Sequence, residues 1–433
     1  MCARRDGDRR TIAQRPPSRR GGLALLLPAS AGPDAARVIG ARGLRAFADG
    51  FVSVLLPVYL LRLGFDALDV GILTTATLLG SAALTLAVGF AAGRARLPAL
   101  LLAGAALMVL TGLGFAGLDG FWPLLLVALV GTLNPSAGEV SVFLPLEQTL
   151  LAHAVDDRDR TALFARYSLA GGLCGAAGTL LVALPDLGAA QLDWTPLAVM
   201  QGLFVFYAVI GVVIALIYRR VAPLPVAPAS APRAALGPSR RIVYRLAVLF
   251  GIDSFAGGFI VQSMLALWLF QRFELSLTAA ASIFFWIGIA TALSYLAAVP
   301  LARRFGLINV MVFSHLPANL ALIAVPFVPE LWQAIALLVG RSLLSQMDVP
   351  TRSSYVMAVV TPAERPAAAS LTSVPRSLAS AATPALAGAL LAASSFAWPL
   401  LIAGTLKVAY DLALLAMFRR VRPPEEGGPS RAG

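Results

Sequence analysis

Apolar residues run along this chain in stretches of twenty or more, separated by short polar joins, from residue 43 almost to the C-terminus. About 20 apolar residues make a helix long enough to cross a bilayer. The stretches are 43–63, 68–92, 97–117, 121–146, 161–184, 196–218, 243–271, 278–300, 307–328, 331–360, 366–393 and 397–418. They predict an all-α polytopic membrane protein of about twelve transmembrane helices. Residues 1–42, rich in Arg, Pro and Gly, read as a disordered basic tail. The polar stretch 219–241, RRVAPLPVAPASAPRAALGPSRR, reads as a cytoplasmic linker between six-helix bundles at 43–218 and 242–418, with 419–433 a C-terminal tail.

Composition agrees with that pattern. Of 433 residues, 58% are hydrophobic and 13% charged, and the mean hydropathy is +0.81, far outside the soluble range and with little chain left for a soluble domain. The net charge of +12 is almost all Arg, with one lysine, Lys407. Its placement decides its meaning. Joins on the side of the N-terminus carry Arg94, Arg96, Arg158, Arg160, Arg219, Arg220, Arg233, Arg240, Arg241, Arg303, Arg304 and Arg365, and the C-terminal tail adds Arg419, Arg420, Arg422 and Arg431, whereas the opposite joins hold Arg62 and Arg272. By the positive-inside rule both termini are expected in the cytoplasm, in a cell (inner) membrane, and the basic balance reports topology rather than nucleic-acid binding. Ser18, Arg19 and Arg20 before Leu23 to Leu27 faintly resemble a twin-arginine export signal, but the apolar run is too short, and a plain tail is preferred. Cys2 and Cys174 offer no disulfide framework, and His153 and His315 no metal cluster, so neither cofactor nor metal is expected.

One stretch breaks the apolar rule. In Gly340 to Val360, GRSLLSQMDVPTRSSYVMAVV, three charges fall inside a span: Arg341, Asp348 and Arg352. At about 100° per residue they share one face within roughly 40°. An ionisable group in hydrocarbon costs at least about 2.5 kcal/mol, so this face is expected to look into the bundle or a watery cavity. Pro135, Pro145 and Pro350 release the carbonyls of Gly131, Ser141 and Gln346, so spans 4 and 10 are expected to kink beside their charges.

The halves also repeat. A shift of 209 lays ALVGTLNPSAGEV (128–140) on LLVGRSLLSQMDV (337–349), matching Gly131 with Gly340, Ser136 with Ser345 and Glu139 with Asp348. The same shift lays Ser168, Leu169 and Ala170 on Ser377, Leu378 and Ala379; a shift of 208 lays ADGF (48–51) on AGGF (256–259). A nearly constant offset across spans 1, 4 and 5 against 7, 10 and 11 indicates a duplicated six-helix unit, the arrangement used by alternating-access transporters.

The chain resembles the major facilitator superfamily over nearly all of 43–418. Gly89, Gly93, Arg94 and Arg96, between spans 2 and 3, are similar to its cytoplasmic gating motif, with Gly93 where Asp is usual. LARRFG (301–306) is the counterpart, with Arg303 at the acidic position, Arg304 at the basic one and Gly306 closing it. The approaches to spans 5 and 11, 158–172 and 361–381, also look like that superfamily's loops. The glycines 171, 172, 175 and 178 of span 5 lack the Gly-Pro pair of its drug antiporters, and packing is the preferred reading of this ladder.

The resemblance implies that spans 1, 4, 7 and 10 line a central cavity. The unusual residues fall there: Asp49, Asn134, Glu139, Glu147, Asp253, Gln262, Arg341, Asp348 and Arg352. Glu139 and Asp348 are the first choice as a proton-coupling or cation-binding pair, with Asp49 and Asp253 beside them. Two flanking guanidiniums would instead keep Asp348 ionised, or offer a fork for an anionic substrate. Blander readings stand next to these. Asp49 is four residues from Arg45 and can pair with it; Glu147 is expected in solvent; Asp253 can face water with Arg245. Lys407 and Asp411 are expected to bridge each other, and Arg166 and Arg376 can bridge acids of spans 4 and 10.

The expected function is therefore secondary active transport of a small organic solute by alternating access, proton-coupled, with efflux favoured slightly over uptake, by a monomer whose partners are the solute, H+ and the bilayer. A facilitative uniporter or a multi-span membrane enzyme is the alternative. The usual enzyme marks, His-Glu-x-x-His, Gly-x-Gly-Asp and Gly-x-Ser-x-Gly, do not occur, nor does a Walker lysine motif.

Overall fold

The structure, a computed structural model, describes residues 28, 31–91, 96–136, 141–155, 157–191, 193–222, 237, 239–361 and 364–419. Among the described residues sixteen α-helices build about twelve passes. The N-terminal half contains α1 (Pro33–Arg62), α2 (Ala67–Ala91), α3 (Leu97–Gly117), α4 (Phe121–Val130) with α5 (Phe143–His153), α6 (Asp157–Thr179) with α7 (Leu184–Gln191), and α8 (Pro196–Tyr218). The C-terminal half contains α9 (Arg240–Gly258) with α10 (Gln262–Phe273), α11 (Leu277–Phe305), α12 (Leu307–Ala324), α13 (Leu331–Ser345) with α14 (Asp348–Ala358), α15 (Arg365–Ala393) and α16 (Trp398–Phe418). Large apolar side chains such as Trp122, Leu126, Phe313 and Leu320 stand exposed on the outside, as a lipid-facing surface requires.

Helix ends follow local chemistry. Thr195 and Ser276 cap α8 and α11 by accepting from Ala198 N at 3.3 Å and Ala279 N at 3.1 Å. Gly306, at φ +85°, turns α11 into α12, a conformation that favours glycine. The first helix opens at Pro33 rather than at 43, so the end of the expected tail is helical. Pro33 suits a first helical turn, and Arg37 donates to Asp34 at 2.6 Å and to the Arg220 carbonyl at 2.7 Å.

Three of the four spans expected around a cavity are interrupted. Span 4 leaves the helix at Gly131 and resumes at Phe143, span 7 breaks at Phe259 to Val261, and span 10 breaks at Gln346 and Met347. The freed backbone groups are answered by neighbours. Thr111 Oγ1 accepts from Thr132 N at 3.2 Å, Tyr207 donates to the Thr132 carbonyl at 3.3 Å, and Ser294 Oγ accepts from Gln346 N at 3.2 Å. The breaks in spans 4 and 7 meet across the halves, where Ser263 N donates to the Pro135 carbonyl at 3.2 Å.

Packing repeats as the sequence does. A Cβ on Gly50 would lie 2.1 Å from the Gly175 carbonyl oxygen, so α1 touches α6 backbone to backbone. Its repeat mate Gly258 sits the same way, with 1.9 Å to Thr383 Oγ1 and 2.2 Å to the Ser380 carbonyl oxygen. Between the halves, α2 meets α15 at Gly71 and Gly388, where Ala385 N also donates to Thr75 Oγ1 at 2.9 Å. α6 meets α11 at Gly172 and Ala292, and Thr278 donates to Asp186 Oδ2 from its N at 2.9 Å. These contacts run from mid-span to the end of the bundle away from the termini.

Candidate functional site

Two buried charge clusters occupy the halves. In the N-terminal half Arg45 and Glu147 form a bidentate pair at 2.8 and 2.7 Å. Tyr218 and Tyr167 each donate a hydroxyl to the same carboxylate, and Arg45 lies 4.5 Å over the Phe143 ring. Glu147 is 0% exposed, so the expectation that solvent surrounds it is corrected. Four donors compensate its desolvation and tie α1, α5, α6 and α8 together.

That arrangement also overturns the Arg45–Asp49 pair, because Arg45 is committed to Glu147. Asp49, 1% exposed, has an Oδ2 that no donor reaches among the described residues. The charges acting on it are Arg45, Arg42 and Glu147. Arg42 lies over the Tyr167 ring at 5.4 Å and against Gly171.

In the C-terminal half Asp348 and Arg352, one turn apart on α14, are in direct contact, and Arg352 Nη2 also donates to Asp253 Oδ2 at 3.1 Å. Asp253 Oδ1 accepts from Lys407 Nζ at 2.6 Å. Asp253 is thus held by two cations from α14 and α16 rather than by Arg245. Arg352 further stacks 5.1 Å from the Phe250 ring. Lys407 and Asp411 do not bridge each other. Asp411 is held instead by His315 Nδ1 at 3.0 Å and Asn319 Nδ2 at 2.8 Å from α12. Arg376 Nε donates to Ser254 Oγ at 3.1 Å, while Arg166 is exposed.

The structure brings Asp253, Asp348 and Arg352 into one contact network and puts Asp49 in the other half. Arg341 is half-buried on α13. Glu139 and Arg94 lie outside the described residues, as does the side chain of Arg303, and Gly89 falls near the end of α2. Arg96 precedes α3 in the open, and Arg304 is exposed at 5.4 Å from the Phe305 ring. Sequence reasoning passed over His315, Asn319 and the tyrosines. Their signal was present for span 9: two polar residues one turn apart in an apolar helix.

Known proteins share this architecture. The family model described as Major Facilitator Superfamily matches residues 38–271 and 247–433. The uncharacterized membrane protein YJR124C of Saccharomyces cerevisiae is 24% identical over 414 residues, covering 87% of this chain and 92% of that one. Among solved structures, a variant of the nucleoside transporter NupG superposes with a TM-score of 0.71 at 16% identity, covering 89% of this chain and 100% of its own. A bacterial homolog of the human lysosomal transporter Spinster gives 0.64 at 16% identity, covering 88% and 95%. The human organic anion transporter MFSD10 gives 0.62 at 17% identity, covering 88% and 100%. The family model spans both bundles and the fold agrees with it: this chain belongs to the Major Facilitator Superfamily.

Proposed function

We propose that the protein is a proton-coupled secondary transporter of a small organic solute, working by rocking of its two halves. The observation that carries the coupling is Asp49. It is a buried acid on span 1 with an oxygen that no donor among the described residues reaches, whereas Glu147, Asp253 and Asp348 are each held by a cation. A buried carboxylate lacking donors is the costliest charge to keep, and a proton removes that cost. Glu139, the repeat mate of Asp348, is the second acid we assign to proton exchange.

The solute is assigned by charge asymmetry. Arg341 and Arg352 have Thr132 and Phe143 as repeat mates, so positive charge in span 10 belongs to one half only. We assign Arg341 to an anionic group of the solute. Organic anions, the solute class named for one structural neighbour, are the first to try, with uncharged nucleosides, the class named for another, as the comparison. From the basic joins we assign both termini to the cytoplasmic side of a cell (inner) membrane, and the expected working unit is a monomer. Direction follows from coupling and not from fold; export is the sense we expect, and reversing the imposed gradient assigns it.

The test is transport in proteoliposomes under an imposed pH gradient, wild type beside Asp49→Asn, Glu139→Gln and Asp348→Asn. Asp49→Asn and Glu139→Gln are expected to lose gradient-driven accumulation and keep solute exchange. Normal accumulation in both overturns the coupling assignment, and accumulation by neither wild type nor variants, with exchange intact, makes the protein a facilitator. Turnover of a lipid with no solute movement selects the membrane-enzyme reading.

A further inference from the structure

The charge chain does not stop at the spans expected to line a cavity. It continues outward through span 12 to span 9. Asp411, 0% exposed, takes His315 Nδ1 on one carboxylate oxygen and Asn319 Nδ2 on the other. Asn319 Nδ2 also lies 3.2 Å from Nδ1; with Asp411 ionised, Nδ1 gives its hydrogen to the carboxylate, Asn319 gives its amide hydrogen to the other carboxylate oxygen, and Nε2 is the nitrogen left to bind a proton. Lys407, one turn before Asp411, gives its ammonium to Asp253 instead, and Asp253 shares Arg352 with Asp348.

Against His315 stand Asp411, Asn319 and, edge-on at 6.2 Å, the Tyr410 ring of α16, with Lys407 one turn before Asp411. Beyond these come Asp253 of α9, then Asp348 and Arg352 of α14. α13 adds Arg341, and α11 adds Tyr295, bonded to Gln346, with Arg303 and Arg304 at its far end. Arg376 of α15 reaches Ser254 beside Asp253. In this set histidine is the side chain whose ordinary titration falls near neutral pH.

We propose that His315, oriented by Asp411 and Asn319, is a proton-binding site of the transport cycle, and that Asp253, held by Lys407, relays its charge state to Arg352 in span 10. The proposal rests on the transporter reading above. A proton from water on Nε2 makes His315 a full counter-charge to Asp411. His315 then joins Lys407 and Arg352 as a third cation acting on Asp253, and Asp253 loosens its claim on Arg352. The link between spans 7 and 10 weakens, and loss of the proton restores it. Burying such a chain in a membrane span is costly, which favours a working role over a structural one.

The histidine 13Cε1 signal of the full protein in lipid nanodiscs tests this without any solute. In a His153→Gln background the remaining signal is that of His315. It is expected to shift as the ring takes up its second proton, and Lys407→Met and Asp253→Asn are expected to move that transition in opposite senses. A signal that does not titrate, or a midpoint that ignores both substitutions, overturns the proposal whether or not transport is found. In proteoliposomes His315→Gln is expected to keep exchange and lose gradient-driven accumulation; accumulation equal to wild type overturns the coupling role. If no solute moves for the wild type, the transporter reading fails, and the titration alone decides the proton site.

Discussion

Glu147 receives four hydrogen bonds while no donor among the described residues reaches Asp49 Oδ2, though the charge of Arg45 acts on both acids. The difference separates a structural acid from a working one. Removing one partner of a buried pair costs about 3–5 kcal/mol, while replacing both with apolar residues is often neutral. Glu147→Ala is therefore expected to lose about that much stability in denaturant unfolding of the solubilised protein. Arg45→Met combined with Glu147→Met should recover most of it, and a double variant no better than the single would contradict the pairing. The sequence offered Arg45 and Asp49 four residues apart as the simpler pair. What decided otherwise was a partner 102 residues away with bidentate geometry and two tyrosine donors, a tertiary choice that spacing does not encode. The acids and arginines themselves were legible, because a charge in an apolar span stands out; their partners were not.

At the scale of elements, the helices were legible from apolar length, and the breaks only where proline marked them. Pro135 announced the interruption of span 4, but span 7 breaks after Gly257 and Gly258 without a proline, and its cause is the packing of Gly258 on α15. The start of α1 escaped notice because Arg37 and Arg42 dilute an apolar count, although Arg42 is buried. Gly50→Ala and Gly258→Ala force a Cβ into backbone or hydroxyl oxygen, and each is expected to reduce folded yield severely. Gly251→Ala, with nothing within 4 Å, should be neutral or stabilising by up to about 1 kcal/mol. Equal yields for Gly50→Ala and Gly251→Ala would contradict the close approach. Outside the membrane, Glu364 holds the linker to the α14–α15 join. It accepts from Thr361 Oγ1 at 2.6 Å, Ser239 Oγ at 2.8 Å and Gly237 N at 2.6 Å. The hydroxyl bonds from Thr361 and Ser239 lead in pulling its carboxyl down from 4.5 to about 2. A depressed carboxyl stabilises above its unfolded value and loses that stabilisation as pH falls toward its folded one. The gap in melting temperature between wild type and Glu364→Gln should accordingly be constant above about pH 5 and shrink as pH drops below about 4. A gap independent of pH would contradict this.

For the whole molecule, the duplication was legible from one nearly constant offset, and the paired glycines Gly50 and Gly258 show that the two bundles repeat their packing as well as their sequence. How the bundles meet was not, since those contacts use small residues whose partners lie in the other half. If the halves rock, the contact between α6 and α11 must open. A Cβ on Gly172 would lie 3.3 Å from Ala292 Cβ, close to disulfide reach. Gly172→Cys with Ala292→Cys, in a Cys174→Ser background, is expected to stop transport when oxidised and regain it on reduction. Full transport by the crosslinked protein would contradict rocking. The central claim, coupling of solute to protons, is tested most directly by the steady-state accumulation ratio in proteoliposomes as the imposed pH difference is varied. One pH unit is about 1.36 kcal/mol, so one-to-one coupling predicts about tenfold accumulation per unit for the wild type and a ratio near one for Asp49→Asn. A wild-type ratio that stays near one at every gradient would contradict the account.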